Sequence, residues 1–198
     1  MRLIENRIHS KDQFKSWVKQ DREASGYSAS PTLKEELKDL IAPNYILRFL
    51  YLLRRVEYLS NCKAGAFWGG VLLINRWRLR IIQVKLGFTI PINVFGPGLS
   101  IAHYGTIVVS QYASVGSNCR LHVGVNIGAN GGNKAPIIGD NVYIGPGAIL
   151  FGGIEIADNI SIGANATVNK SFKEKNVVIA GTPAGIVKTG SKAWNEPK

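Results

Sequence analysis

Two histidines, His103 and His122, stand nineteen residues apart inside a stretch, Tyr58 to Gly139, that contains neither Asp nor Glu. Imidazole is the side chain whose charge changes nearest neutral pH, so such a ring suits a general base that takes an alcohol's proton while the oxygen attacks a carbonyl. His103 is the candidate for that role, and His122, Asn126 and Lys134 are candidates for lining the acceptor's pocket. The group that fixes the His103 tautomer must come from before Tyr58, from Asp140 onward, or from another subunit, or be a backbone carbonyl or an amide such as Asn126. A zinc site would need three or four ligands. His9 is remote from the other two histidines, and Cys62 and Cys119 lack metal-ligand spacing. No metal is expected, and neither thiol is placed for covalent catalysis.

The elements that must hold these residues follow from a repeat. Ile138, Ile144, Leu150, Ile156, Ile162 and Val168 recur every six residues, with Gly139, Gly145, Ala157 and Gly163 directly after four of them. A period of six fits neither an α-helix nor an ordinary strand. It is the repeat of a parallel β-helix, each hexapeptide making one side of a triangular coil with its aliphatic residue in the shaft. The small residue is expected at the corner, where a larger one would crowd the bend. Val109, Val115, Leu121 and Ile127 continue the phase backwards. Between Ile127 and Ile138 the interval is eleven, so about five residues of Ala129–Pro136 loop out. Ile101 and Ile107 are two out of step with Val109, which places a second irregularity at Val108–Ser110, beside His103.

The net charge is +11, and eight of those charges fall in residues 1–89. The basic surface therefore belongs to the segment before the coil, where it suits anionic lipid or an acidic small molecule. Nucleic acid is not expected, because no recognition motif accompanies the charge. Ser10–Gln13 and Thr32–Glu35 read as capping boxes that open helices at about Lys11–Ala24 and after Thr32, the second with Leu33, Leu37, Leu40 and Ile41 as its buried face. Tyr45–Leu59 carries Ile46, Phe49, Leu50, Leu53 and Val56 on one stripe, with Arg48, Arg54 and Arg55 elsewhere. From Phe67 to Leu86, Arg76, Arg78, Arg80 and Lys85 interleave with apolar residues. That segment reads as a helix packed on the base of the coil or as a basic amphipathic helix in peripheral contact with a membrane, the packed reading being the default. The opening Met1–Ser10 lacks the apolar core of a signal peptide, and no run reaches the ~20 residues that span a bilayer. A cytoplasmic setting is expected, including the inner face of the membrane.

Ser100–Val109 (SIAHYGTIVV), the hexapeptide array, the Gly-rich loop and Ala180-Gly181-Thr182-Pro183-Ala184 together resemble the serine acetyltransferases, hexapeptide-repeat acyltransferases. The resemblance covers residues 88–187 well and the helical part in general character. It implies an α+β chain: an N-terminal α-helical domain at 1–87, a left-handed parallel β-helix at 88–187, and a tail at 188–198 that is expected to fray. It implies acetyl-CoA as co-substrate and a homotrimer or dimer of trimers, with acetyl-CoA between neighbouring coils and the loop reaching to the next subunit. It assigns His103 as the general base, Pro146, Gly147, Ala164, Gly181 and Thr182 as cofactor contacts, and Lys188 as a partner for the phosphates.

Three positions depart from the family pattern. Ala102 stands where an aspartate precedes the histidine, Phe88-Thr89 where a second aspartate orients the ring, and Lys134-Ala135-Pro136 where an Arg-His pair precedes a proline. Free serine carries an ammonium, which a partly buried site must meet with an acidic partner, and the first coils hold none. The expected acceptor is therefore a small molecule or sugar hydroxyl, favouring a surface polysaccharide or its precursor. Serine O-acetylation in cysteine biosynthesis and a non-catalytic trimeric scaffold are the alternatives. A γ-type carbonic anhydrase uses a similar coil but needs three histidines around zinc, and only His103 and His122 are candidates here.

Overall fold

The computed structural model describes residues 6–196; the opening Met1–Glu5 and the last two residues lie outside it. Four helices come first. In α1 (Lys11–Ala24) the Ser10 hydroxyl accepts from the Gln13 N–H while the Gln13 side chain accepts from the His9 N–H. In α2 (Leu33–Ile41) Thr32 and Glu35 form the full reciprocal box. Asn44 caps α3 (Tyr45–Cys62), and α4 (Ala66–Leu86) stops at Gly87, whose φ of 78° is the left-handed conformation glycine adopts without a Cβ clash. Phe49, Leu53 and Val56 of α3 join one core with Leu79, Ile82 and Leu86 of α4 and with Phe88 at the start of the coil. Phe49 meets Phe88 edge-on, with ring centroids 5.2 Å apart.

Two helical expectations change. Leu33, Leu37, Leu40 and Ile41 are exposed rather than buried, because α2 is held through its polar side by the Arg22–Glu35 (2.9 Å) and Arg48–Asp39 (2.8 Å) ion pairs. Arg54, read as lying off the buried stripe, is fully buried. It donates to Asp21 (2.7 Å), to Glu57 (3.0 Å) and to the carbonyls of Phe95 (2.8 Å) and Gly96 (2.6 Å). Asp21 also accepts from the Leu99 N–H, and Glu57 accepts from the Asn93 N–H. These are backbone groups at the edge of the first turn, which no earlier turn can pair, so helical side chains satisfy them instead. Burial raises the Asp21 and Glu57 carboxyls above their ordinary range despite the pull of Arg54. Burial also works against the Arg54 charge, but the two carboxylates outweigh it and hold that guanidinium above its ordinary value.

From Phe88 the chain makes a left-handed β-helix of about five turns. The first turn holds β1 (Phe88–Thr89), Phe95 and β2 (Ser100–Ile101); the second β3 (Ile107–Val109), β4 (Ser114–Val115) and β5 (Arg120–Leu121). The third holds β6 (Asn126–Gly128), β7 (Ile137–Ile138) and β8 (Tyr143–Ile144); the fourth β9 (Ile149–Phe151), β10 (Glu155–Ile156) and β11 (Ser161–Ile162). The fifth holds β12 (Thr167–Val168), Phe172 and β13 (Val178–Ala180), and β14 (Gly185–Lys188) returns antiparallel on β13. Parallel pairing stacks Ile101, Leu121, Ile144, Ile162 and Ile179 on one side of the shaft. Val109, Ile127, Leu150 and Val168 stack on the second side, and Phe95, Val115, Ile138, Ile156 and Phe172 on the third.

This register relocates the second irregularity. From Ile101 to Val109 the interval is eight, against six from Leu121 to Ile127 at the same corner one turn later. The two extra residues therefore lie within Ala102–Thr106, in the corner that carries His103, and not at Val108–Ser110. The reason for small residues after the aliphatic ones also changes: a Cβ at Gly145 would come within 2.8 Å of the Ile162 carbonyl oxygen, so it is the next coil's backbone that excludes a side chain. Left-handed corner positions are filled instead by Asn118, Asn141, Asn159 and Asn176, with φ between 55° and 60°. Their amides hydrogen-bond from turn to turn at 2.9–3.0 Å. Up to residue 196 the tail is held against the coil. Trp194 donates to the Asn118 carbonyl (2.8 Å) with its ring beside Arg120, and Ala193 is buried, so residues 193–195 lie along the asparagine corner.

Candidate active site

Each strand of the β2–β5–β8–β11–β13 sheet ends at the same corner. That corner stacks Ala102–Thr106, His122–Val125, Gly145–Ala148, Gly163–Ala166 and Gly181–Ala184. His103 and His122 thus share one edge with Pro146, Gly147, Ala164, Gly181 and Thr182. His103 is exposed and His122 half-buried. Their ring centroids lie 6.1 Å apart at an interplanar angle of 61°, and the Tyr143 ring lies 5.0 Å from His122 on the other side. The corner is locally fixed at Gly105, whose φ of 130° suits glycine and whose N–H donates to the Leu86 carbonyl (3.0 Å) at the end of α4. A Cβ at Gly105 would strike the Val123 side chain.

Burial lowers the His122 pKa below its ordinary value, and the nearby Arg120 and His103 add to that. His122 is therefore neutral at pH 7, with one ring nitrogen able to donate and the other to accept. Its Nε2 is buried without a hydrogen-bond partner. Such an atom is costly to leave unsatisfied.

Among the described residues no carboxylate is hydrogen-bonded to His103. Asp21 and Glu57 serve Arg54. Asp140 accepts from the Ser117 N–H (2.7 Å) and Asp158 from the Asp140 N–H (2.9 Å), at the asparagine corner. The structure also separates three of the candidate residues from the edge. Asn126 is exposed on β6, in register with Val108 and Ile149 on the neighbouring side. Lys134 lies on the looped-out segment at a third corner, with its stem close to Gly153. Lys188 pairs with Val178 at the start of β13, across the sheet from the Gly181–Thr182 turn. Tyr143 was not singled out from the sequence. Its signal is the in-register pair Arg120–Tyr143, each residue standing just before a shaft aliphatic, and it emerges only when the looped-out residues are removed from the count.

The thiols offer no nucleophile. Burial pushes Cys119 well up, and Cys62, also raised by burial, has its Sγ 3.2 Å from the Ile8 carbonyl. No group of three or more His, Cys, Asp or Glu able to hold a metal occurs among the described residues.

Residues 135–170 match the family model described as bacterial transferase hexapeptide (six repeats). A serine acetyltransferase of Staphylococcus aureus is 38% identical over 96 residues, covering 47% of this chain and 45% of that protein. The chain thus spans about half the length of the curated relatives it matches. Among solved structures, a serine acetyltransferase of Neisseria gonorrhoeae superposes with a TM-score of 0.66 at 25% identity, covering 95% of this chain and 70% of that one. A serine acetyltransferase in complex with CoA superposes with a TM-score of 0.65 at 20% identity over 89% of this chain and 71% of that one, which speaks to the fold. The six-residue period, the coil it builds and the segment matched agree: residues 135–170 carry the hexapeptide repeat of the bacterial transferases, and the relatives this chain is similar to are serine acetyltransferases.

Proposed function

We propose that this chain transfers an acetyl group from acetyl-CoA to a hydroxyl, in the manner of a serine O-acetyltransferase, with His103 as general base. The observation that carries the reading is the edge: an exposed imidazole at the head of a column of small residues, Pro146, Gly147, Ala164, Gly181 and Thr182. Its low relief leaves room for an extended pantetheine arm. The relative solved with CoA supports acetyl-CoA as the co-substrate. His103 takes the hydroxyl proton as the oxygen forms a bond to the thioester carbonyl carbon. The carbon–sulfur bond breaks, and the departing thiolate receives the proton from His103. Neutral His122 hydrogen-bonds the acceptor.

Serine is the better-supported acceptor, because the relatives are serine acetyltransferases by name. The polysaccharide acceptor expected from the sequence has no such support. One observation keeps a neutral hydroxyl as a second reading, namely the absence, among the described residues, of a carboxylate hydrogen-bonded to His103 that could also meet serine's ammonium. Asn126, Lys134 and Lys188, which a single chain keeps off the edge, take part if a neighbouring subunit presents them, and a homotrimer or dimer of trimers is the assembly proposed.

The test is thiol release from acetyl-CoA with serine, free sugars and nucleotide sugars, run on the wild type and His103→Ala. Serine-dependent turnover with kcat/KM above ~10⁴ M⁻¹s⁻¹ is expected, as is a loss of at least ~10²-fold in the variant. Turnover with sugars alone moves the assignment to the second reading, and an unchanged variant removes His103 from the chemistry. No turnover together with no CoA binding by calorimetry leaves a non-catalytic scaffold.

A further inference from the structure

Helix α4 has two faces. Leu79, Ile82 and Leu86 are buried against α3 and the first turn of the coil. The opposite side carries Phe67, Leu73, Ile74, Trp77, Ile81 and Val84, each between 49% and 74% exposed. At 3.6 residues per turn these six form one stripe down a 21-residue helix, about 30 Å long. Arg76 and Arg80 border the stripe on one side and Arg78 on the other, all exposed, and α4 contains no acidic residue. The single carboxylate of α3, Glu57, is buried on Arg54. The packed and the membrane readings of this segment are therefore not exclusive: one face packs, and the other is apolar with cationic margins.

We propose that this face docks the protein in the plane of an anionic membrane surface, the stripe entering the acyl boundary while Arg76, Arg78 and Arg80 meet lipid phosphates. Interfacial helices combine an apolar face bearing Trp, Phe and Leu with Arg or Lys on the polar side. A second copy across a two-fold axis is the poorer occupant: there the patch meets itself, and the arginines would confront one another with no carboxylate from α3 or α4 to neutralise them. A nucleic acid would use the arginines and leave the stripe wet. No helix among the described residues is long and apolar enough to cross a membrane, so attachment is along the surface. The inference rests on α4 alone and stands apart from the acetyl-transfer reading.

Co-sedimentation of the full chain with phosphatidylcholine vesicles, with and without phosphatidylglycerol, tests it. Binding to the anionic vesicles that weakens with salt is expected. A cation near such a surface contributes about fivefold, so Arg76→Gln/Arg78→Gln/Arg80→Gln should lower partitioning on the order of a hundredfold. Trp77→Ser/Ile81→Ser, which keeps the charge, should lower it about tenfold or more. Thiol release from acetyl-CoA and the melting temperature should stay as in the wild type. Three results would overturn the proposal: no binding of the wild type to anionic vesicles, variants that bind as the wild type does, or a fall in particle mass by light scattering in Trp77→Ser/Ile81→Ser, which would make the face a contact between subunits.

Discussion

His103 and His122 were legible in the sequence because the repeat gives their spacing a meaning: nineteen residues is close to one turn of the coil, and the rings do lie side by side. The environment of His122 was not legible, since its burial and the approach of Tyr143 depend on how many residues the loop removes from the third turn. A checkable consequence belongs to this residue. Between its ordinary value of 6.5 and its lowered one, the unfolded chain binds a proton that native His122 does not. Stability therefore falls as pH drops through that window, and His122 should titrate below 6.5 when followed by NMR. A midpoint at or above 6.5 would mean that burial does not govern the ring.

Helix limits were legible because capping boxes and the glycine stop act within a few residues of the helix end. Arg54 was hidden for the opposite reason: its partners Asp21 and Phe95 are 33 and 41 residues away, and an amphipathic pattern sends a lone arginine to solvent. The exposed apolar side of α2 was hidden likewise, since periodicity reports that a face is apolar and not whether anything lies against it. Arg54→Met leaves two buried carboxylates without their cation, a defect worth about 3–5 kcal/mol. Differential scanning calorimetry should show a Tm lower by roughly 6–20 °C. Buried carboxyls with raised pKa bind protons that the unfolded chain has released, so stability falls as pH rises through the interval between the ordinary and raised values. Without the pull of Arg54 that interval widens, so the deficit of Arg54→Met should be larger at pH 8 than at pH 5. An equal deficit at both would show that the carboxyls ionise alike with and without Arg54.

At the scale of the whole molecule, Val108, Ile149 and Phe151 stand exposed on one side of the coil, a side that the proposed homotrimer would cover. Light scattering should give three or six times the 21.6 kDa chain mass. A monomer that retained full activity would show that the edge is complete by itself.

The side chains that meet the first turn carry one more consequence, for solubility. A solenoid is an unfinished sheet at both ends, and each bare end is a template on which another copy can grow. At the far end β14 runs antiparallel on β13 and interrupts the stack. At the near end the stopper is a set of side chains, Asp21, Arg54 and Glu57, that occupy the N–H and C=O groups a further turn would use. A coil expressed without residues 6–86 should therefore self-associate through its bared first turn, visible as concentration-dependent light scattering, while the full chain stays at a fixed mass.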